Sequence, residues 1–292
     1  MHARQPALRL SVVLLLLAAG AGAAAADTME TPAPGGAVER IPVSITRPSG
    51  DGPFPAVVIM HDCSGLGPLS SHAPARWAQT LTTHGYVTVM PGSFSTRGFP
   101  SGVCTDARPG RSSVSPSRRA HDAHAALAHA RSLALVDGRH VGLMGGSHGG
   151  STTLFSLVAP QAEGGFSAAV ALYPACRARL GDWNGVSGVY HPVAPLLVLI
   201  GALDDWTPAE PCRQMVEATR AAGHPAAIKI YGGAHHSFDS ANPVRYIGTR
   251  INPNASGGRG ATTGGNAEAW ADSIREALAF FGQHLAPGAG PR

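Results

Sequence analysis

The chain has 292 residues, with 22 basic and 18 acidic side chains, 37 glycines and four cysteines. The positive residues are scattered arginines with Lys229 as the sole lysine, and the nearest cluster (Arg108, Arg111, Arg118 and Arg119) reads as a solvated loop and helix start, which argues against a nucleic-acid-binding surface. No repeat, heptad run or zinc-ligand spacing occurs, so solenoid, coiled-coil and zinc-module classes are set aside.

Residues 1–26 have the pattern of a signal peptide. Arg4 and Arg9 precede an apolar run, Leu10 to Ala19, and a small-residue tract ends in Ala24-Ala25-Ala26. The run is short for a membrane span and no stop-transfer pattern follows. Cleavage after Ala26 is expected, with the mature protein periplasmic or secreted and free of the membrane. The first cysteine is Cys63, so no lipidated cysteine sits at the mature N-terminus. No Arg-Arg pair occurs within residues 1–26, which favours the general export route. Loss of Arg4 and Arg9 brings the formal charge of +4 closer to balance. Four cysteines in an exported chain are expected to pair.

Residues 27–292 are expected to form one domain. Residues 27–36, D-T-M-E-T-P-A-P-G-G, read as a flexible leader. Glu39 to Arg47 alternates loosely and predicts an early antiparallel strand. Ala56 to Met60 is a continuous apolar run, which suits a buried central strand. A loop follows from His61 to Gly67, then a helix from Ala73 to Thr83 and a strand from Tyr86 to Met90. Ser93 to Val114 is a long irregular stretch of the kind that is often functional. Ser115 or Ser117 caps a helix from about Arg118 to Leu135. Gly138 to Met144 is a strand, and Ser151 to Ala159 a helix. Strands are predicted at Phe166 to Leu172, Ala194 to Ile200 and Ala227 to Tyr231, with a helix from Thr207 or Pro208 to about Gly223. A glycine-rich loop, 232–265, leads to a closing amphipathic helix, Ala267 to His284. This alternation predicts an α/β fold with a mostly parallel sheet covered on both faces and its site at the carboxyl ends of the strands.

The stretch Val141 to Gly150 reads V-G-L-M-G-G-S-H-G-G and contains G-x-S-x-G between a strand and a helix. That is the nucleophile-elbow pattern. Its glycines leave room for a tight turn that lifts Ser147 above the sheet, and the His148 N–H at the helix start can face an oxyanion. In so glycine-rich a chain the motif has little weight alone. A serine also needs a histidine as base and a carboxylate to orient that histidine. Chain order supplies both: Asp204 or Asp205 follows one strand, and His235 or His236 follows another. Asp204 is preferred, because Pro208 starts the next helix four residues on and Asp205 suits a loop-shaping or capping role. The Cys63 N–H, in the loop after Ala56–Met60, is the candidate second oxyanion donor, paired with His148.

These residues resemble the dienelactone hydrolase family of α/β-hydrolases. The likeness covers most of the mature chain and is carried by V-V-I-M-H-D-C-S-G-L, G-G-S-H-G-G, G-A-L-D-D-W-T-P and A-H-H-S-F. It implies an α/β-hydrolase fold, selects His236 because Ser237-Phe238 follow it, and supports Asp204. It also places the loop donor at Cys63 and a neighbouring substrate-site carboxylate at Asp62. Two departures stand out. The dienelactone enzymes use a cysteine nucleophile where this chain has Ser147, so serine-esterase chemistry is implied. They also hold a substrate carboxylate with two arginines. Arg97 matches one, but the other position holds Asp239 and Ser240. With the loops so placed, Cys63 is expected to pair with Cys104 and Cys176 with Cys212.

The leading expectation is an exported esterase or lactonase acting on a small molecule through Ser147, His236 and Asp204, with no cofactor and no metal, as a monomer or small homo-oligomer. A peptidase or acyl-peptide hydrolase on the same fold is the alternative, and a non-catalytic binding protein is a third reading. Trp77, Trp183 and Trp270 read as structural. Trp206, beside Asp204 on the site rim, is a candidate substrate contact.

Overall fold

The computed structural model describes residues 27–68, 70–158, 164–176 and 189–286. The expected signal peptide and Trp183 lie outside them. Eight strands form one sheet in the order β1-β2-β4-β3-β5-β6-β7-β8. These are β1 Thr28–Pro32, β2 Val38–Thr46, β3 Phe54–Met60, β4 Val87–Pro91, β5 Val136–Gly146, β6 Ala169–Leu172, β7 Leu196–Gly201 and β8 Ala226–Tyr231. The pairs from β4 through β8 are parallel, whereas β1–β2 and β2–β4 are antiparallel.

The central strands are buried along consecutive residues. Ala56 to Met60, Ala169 to Leu172 and Leu196 to Gly201 are all inaccessible, so both faces of the sheet are covered. The helices doing so are α1 Ala73–Thr83, α2 Pro116–Ser132, α3 His148–Ser156, α4 Ala209–Ala221 and α5 Ala267–Leu285. Trp77 of α1 meets Trp270 of α5 edge-on at 4.7 Å, consistent with the structural roles expected of both. Caps follow the local sequence. The Ser115 side chain accepts the Arg118 N–H ahead of Pro116, and Asn266 accepts the Ala269 N–H at the start of α5.

Two segments fold differently from the sequence expectation. The leader expected at 27–36 begins with β1, which runs antiparallel to β2 from Thr28 opposite Pro42 to Pro32 opposite Val38. Met29 and Thr31 turn inward, and the Thr31 hydroxyl donates to buried Asp122 at 2.8 Å. So short an alternation acquires value only from the partners it meets, while its Pro and Gly content pointed to a loop. The loop after β8 also contains a hairpin, β9 Arg245–Ile251 and β10 Arg259–Thr263. Its strands are polar and largely exposed on β9, so neither alternation nor an apolar run betrayed them.

β5 ends in the turn that carries Ser147. Here α3 starts so close to β3 that a Cβ on Gly149 would lie 1.9 Å from the Met60 carbonyl oxygen, and one on Gly145 would lie 2.4 Å from the Gly149 oxygen. Backbone atoms cannot yield as a flexible side chain can. Gly149→Ala is therefore expected to lower the melting temperature by several degrees and to remove activity with it. An unchanged melting curve would contradict this packing.

Candidate active site

Ser147 has φ 54° and ψ −116°, a conformation unfavourable for a residue with a side chain. Its N–H donates to the Leu172 carbonyl at 2.9 Å and its carbonyl accepts the Ser151 N–H at 2.8 Å, so β6 and α3 hold the turn from both sides. The Ser147 hydroxyl lies 2.8 Å from His236 Nε2, and His236 Nδ1 lies 2.8 Å from Asp204 Oδ2. His236 and Asp204 are buried. An ionised carboxylate accepts a hydrogen bond from Nδ1–H and so keeps the proton on that nitrogen, which leaves Nε2 free to accept from the serine. Such a set can activate a hydroxyl for attack on a carbonyl carbon.

Each partner is fixed by its loop. Asp204 Oδ1 accepts the N–H groups of Trp206 and Thr207 at 3.0 and 2.7 Å. Thr207 Oγ1 stands 2.9 Å from Asp204 Oδ2, 3.0 Å from His236 Nδ1 and 3.0 Å from the Tyr173 carbonyl oxygen. The Tyr173 ring packs edge-on against His236 at 4.7 Å, and its hydroxyl donates to Asp239 at 2.7 Å. Burial first, then the Asp239 charge, pushes that phenol well above its ordinary value. Thr207 and Tyr173 were missed in the sequence. The available signals were a threonine three residues after the acid and a tyrosine at a strand end, neither of which specifies a histidine contact.

The alternatives to Asp204 and His236 have other partners. Asp205 accepts the N–H and hydroxyl of Thr262 at 2.8 Å each and so anchors β10. His235 is turned to the Leu203 carbonyl. Trp206 lies 4.7 Å ring to ring from His236, donates its indole N–H to the Ile251 carbonyl at 2.8 Å, and carries the Arg250 guanidinium at 5.2 Å. The hairpin thus borders the site.

Two expected substrate contacts are occupied elsewhere. Asp62 accepts the Ser64 N–H at 2.7 Å and the Ser64 hydroxyl at 2.5 Å, and it also accepts the Ser71 hydroxyl. Its carboxylate braces the loop after β3. Arg97 pairs with Asp122 at 2.6 Å and with Glu39 at 2.7 Å, and its side chain is 4% exposed. It is a structural cation here, because the antiparallel edge brings Glu39 and α2 brings Asp122 to it. Asp239, at the position of the family's second arginine, is buried between Tyr173 and Trp77. Its carboxyl is raised, chiefly by burial.

The structure joins Cys63 to Cys104 and Cys176 to Cys212. Among the described residues, neither the Cys63 nor the His148 N–H has a hydrogen-bond acceptor. Also among the described residues, no cluster of three His, Cys, Asp or Glu groups could hold a metal ion.

The family model of the dienelactone hydrolase family matches residues 41–285. The chain belongs to the dienelactone hydrolase family. It is a carboxylic ester hydrolase of the α/β-hydrolase fold. Solved structures of similar fold include a candidate dienelactone hydrolase from Klebsiella pneumoniae subsp. pneumoniae MGH 78578, 22% identical over 89% of this chain and 98% of that one, with a TM-score of 0.64. A dienelactone hydrolase-like promiscuous phosphotriesterase from metagenomic libraries is 20% identical over 90% and 99%, with a TM-score of 0.63. The apo form of Thermogutta terrifontis esterase 2 is 20% identical over 90% and 96%, with a TM-score of 0.59. No curated protein sequence matches the chain.

Asp122 is a buried carboxylate bonded to Thr31, Arg97 and Arg118. Burial raises its carboxyl, but the hydrogen bonds and charge of Arg97 outweigh that and hold it below the ordinary range. The folded form therefore binds that proton less readily than the unfolded chain, so its contribution is complete above the unfolded value near about 3.9 and fades as pH falls through the folded one. Asp122→Asn is expected to cost about 3–5 kcal/mol at neutral pH. The gap from the parent, measured by chemical denaturation, should shrink below about pH 4. A gap independent of pH would show that the charge of Asp122 does not stabilise the fold.

Proposed function

We propose that the protein is an exported serine esterase that cleaves a carboxylic ester or lactone of a small molecule through Ser147, His236 and Asp204. The observation that carries this reading is the unbroken set of hydrogen bonds from Ser147 Oγ to His236 Nε2 and from His236 Nδ1 to Asp204 Oδ2, each 2.8 Å. Export is supported by the leader pattern of residues 1–26 and by two joined pairs of cysteines.

In the first half-reaction, Ser147 Oγ bonds to the carbonyl carbon while its proton passes to His236 Nε2. The carbonyl π pair moves onto oxygen, which is received by the N–H groups of Cys63 and His148. Collapse expels the alkoxide, which takes the proton from His236, and leaves an acyl-serine. Water then repeats the sequence with His236 as base, releasing the acid and restoring Ser147. Asp204 orients His236 and balances the imidazolium. These steps use only side chains, backbone N–H groups and water.

Two measurements test the reading. A fluorophosphonate probe should label Ser147 in the parent protein and fail to label Ser147→Ala. Absence of labelling in folded parent protein would reject the serine mechanism. The Trp206 ring, beside His236 and under Arg250, is proposed to line the substrate cleft. Trp206→Ala should then raise KM across a panel of aryl esters, and unchanged KM values for every ester would remove Trp206 from the cleft.

A further inference from the structure

α2 sends one arginine into the interior where, among the described residues, no carboxylate bonds to it directly. Arg119, expected on a solvated helix start, is instead fully buried. One Nη2–H donates to the carbonyl oxygen of His61 at 2.9 Å, and one Nη1–H donates to Nδ1 of His148 at 2.8 Å. Its plane lies 4.8 Å from the Phe94 ring centre, and its Nε–H has no partner among the described residues. The nearby carboxylates are bonded elsewhere. Asp122 goes to Thr31, Arg97 and Arg118, and Asp62 goes to Ser64 and Ser71. The charges of Asp122 and Asp62 favour the cation from a distance, but burial opposes it more strongly. Burial pulls this guanidinium down to about 9, which leaves it charged at neutral pH.

Its two acceptors belong to the two loops assigned above to the oxyanion hole. His148 directly follows Ser147, and Arg119 fixes its ring with Nδ1 as acceptor and the proton on Nε2. The His61 ring adds a second link. Its Nδ1–H donates to the Asp62 carbonyl at 2.8 Å, while its Nε2 accepts the Ser93 N–H at 3.2 Å. The Asp62 carbonyl and the Cys63 N–H are opposite ends of one planar peptide, so holding the carbonyl aims the N–H the other way. Burial, then the Arg119 charge, keeps both histidines well below their ordinary range and therefore neutral.

We propose that Arg119 is a positioning residue that sets the spacing of the Cys63 and His148 N–H donors by bridging their loops from behind and places a fixed positive charge in back of the developing oxyanion. This rests on the serine-esterase reading above. The rigid guanidinium fork makes both contacts at once, which a lysine ammonium at the end of a flexible stem cannot reproduce.

The test compares Arg119→Gln and Arg119→Lys with the parent on p-nitrophenyl acetate and on an aryl trifluoromethyl ketone, which adds to the serine and presents an oxyanion. Arg119→Gln should lower kcat by about a hundredfold, the loss typical of a misplaced catalytic group. KM should stay close to the parent value, the inhibition constant of the ketone should rise in step with the fall in kcat, and the pH midpoint of kcat/KM should not move. Arg119→Lys should fall between the two. A purely structural role would lower the melting temperature without moving kcat and the ketone constant together, and that pattern overturns the proposal. If Arg119→Gln does not fold, Arg119→Lys and His61→Phe carry the same comparison, since His61→Phe removes the donor to the Asp62 carbonyl. If Ser147→Ala keeps the parental rate, the serine-esterase reading fails and this proposal with it. If Ser147→Ala is inactive while Arg119→Gln retains the parental kcat, only the Arg119 proposal fails.

Discussion

A serine with φ 54° and ψ −116° is held at a cost of about 1–3 kcal/mol, and the surrounding main chain makes that conformation the only one available. β6 accepts its N–H, α3 donates to its carbonyl, and the Met60 oxygen leaves no room for a side chain at Gly149. A side chain at Gly149 could be accommodated only by separating α3 from β3. The hydroxyl is delivered to one spot by parts of three elements, none of which carries a catalytic side chain. The precision of the 2.8 Å contact with His236 comes from this rigid sheet end.

Two buried arginines of the same region resolve their charge in opposite ways. Arg97 sits in a network with Glu39 and Asp122, where attraction and hydrogen bonds offset desolvation. Arg119, on the same helix as Asp122, keeps its charge aimed at a carbonyl, a neutral imidazole and an aromatic face. The first arrangement suits a brace that joins the antiparallel edge to α2. In the second the charges of Asp122 and Asp62 act on the guanidinium only from a distance, and a low-dielectric interior magnifies its effect on any nearby negative charge. Within the serine-esterase reading, an oxyanion develops beside the serine turn during turnover.

Much of the fold was readable because buried parallel strands have no polar positions to disguise them. Ala56 to Met60 and Ala194 to Ile200 could not be surface, and the motif after each strand fell where a doubly covered sheet exposes its carboxyl ends. Chain order alone narrowed the partners of Ser147 to two Asp and two His, and local chemistry separated Asp204 from Asp205. His235 and His236 are adjacent, and only the backbone after β8 decides which ring turns inward. The substrate contacts were the least legible. Whether Arg97 faces a cleft or an acid depends on Glu39, 58 positions away, and on Asp122 across the fold. β1 and the hairpin escaped for a related reason, since strands defined by their neighbours carry little signal of their own.

The hairpin also explains how separate loops come to act as one rim. The disulfide joins Cys63, in the loop after β3, to Cys104. The Cys104 carbonyl accepts the Ile251 N–H at 3.2 Å, and the Ile251 carbonyl accepts the Trp206 indole N–H at 2.8 Å. Trp206 packs on His236, while Asp205 holds β10 from the other side. A continuous series of covalent, hydrogen-bonded and ring contacts thus runs from the loop after β3 to the acid and histidine loops, outside the sheet that supports them. Glycine-rich loops of this length lose much conformational freedom on ordering. One cross-link placed at Cys104 restrains three of them, because the hairpin transmits it. The hairpin is therefore best understood as the element that lets a single disulfide order both sides of the cleft.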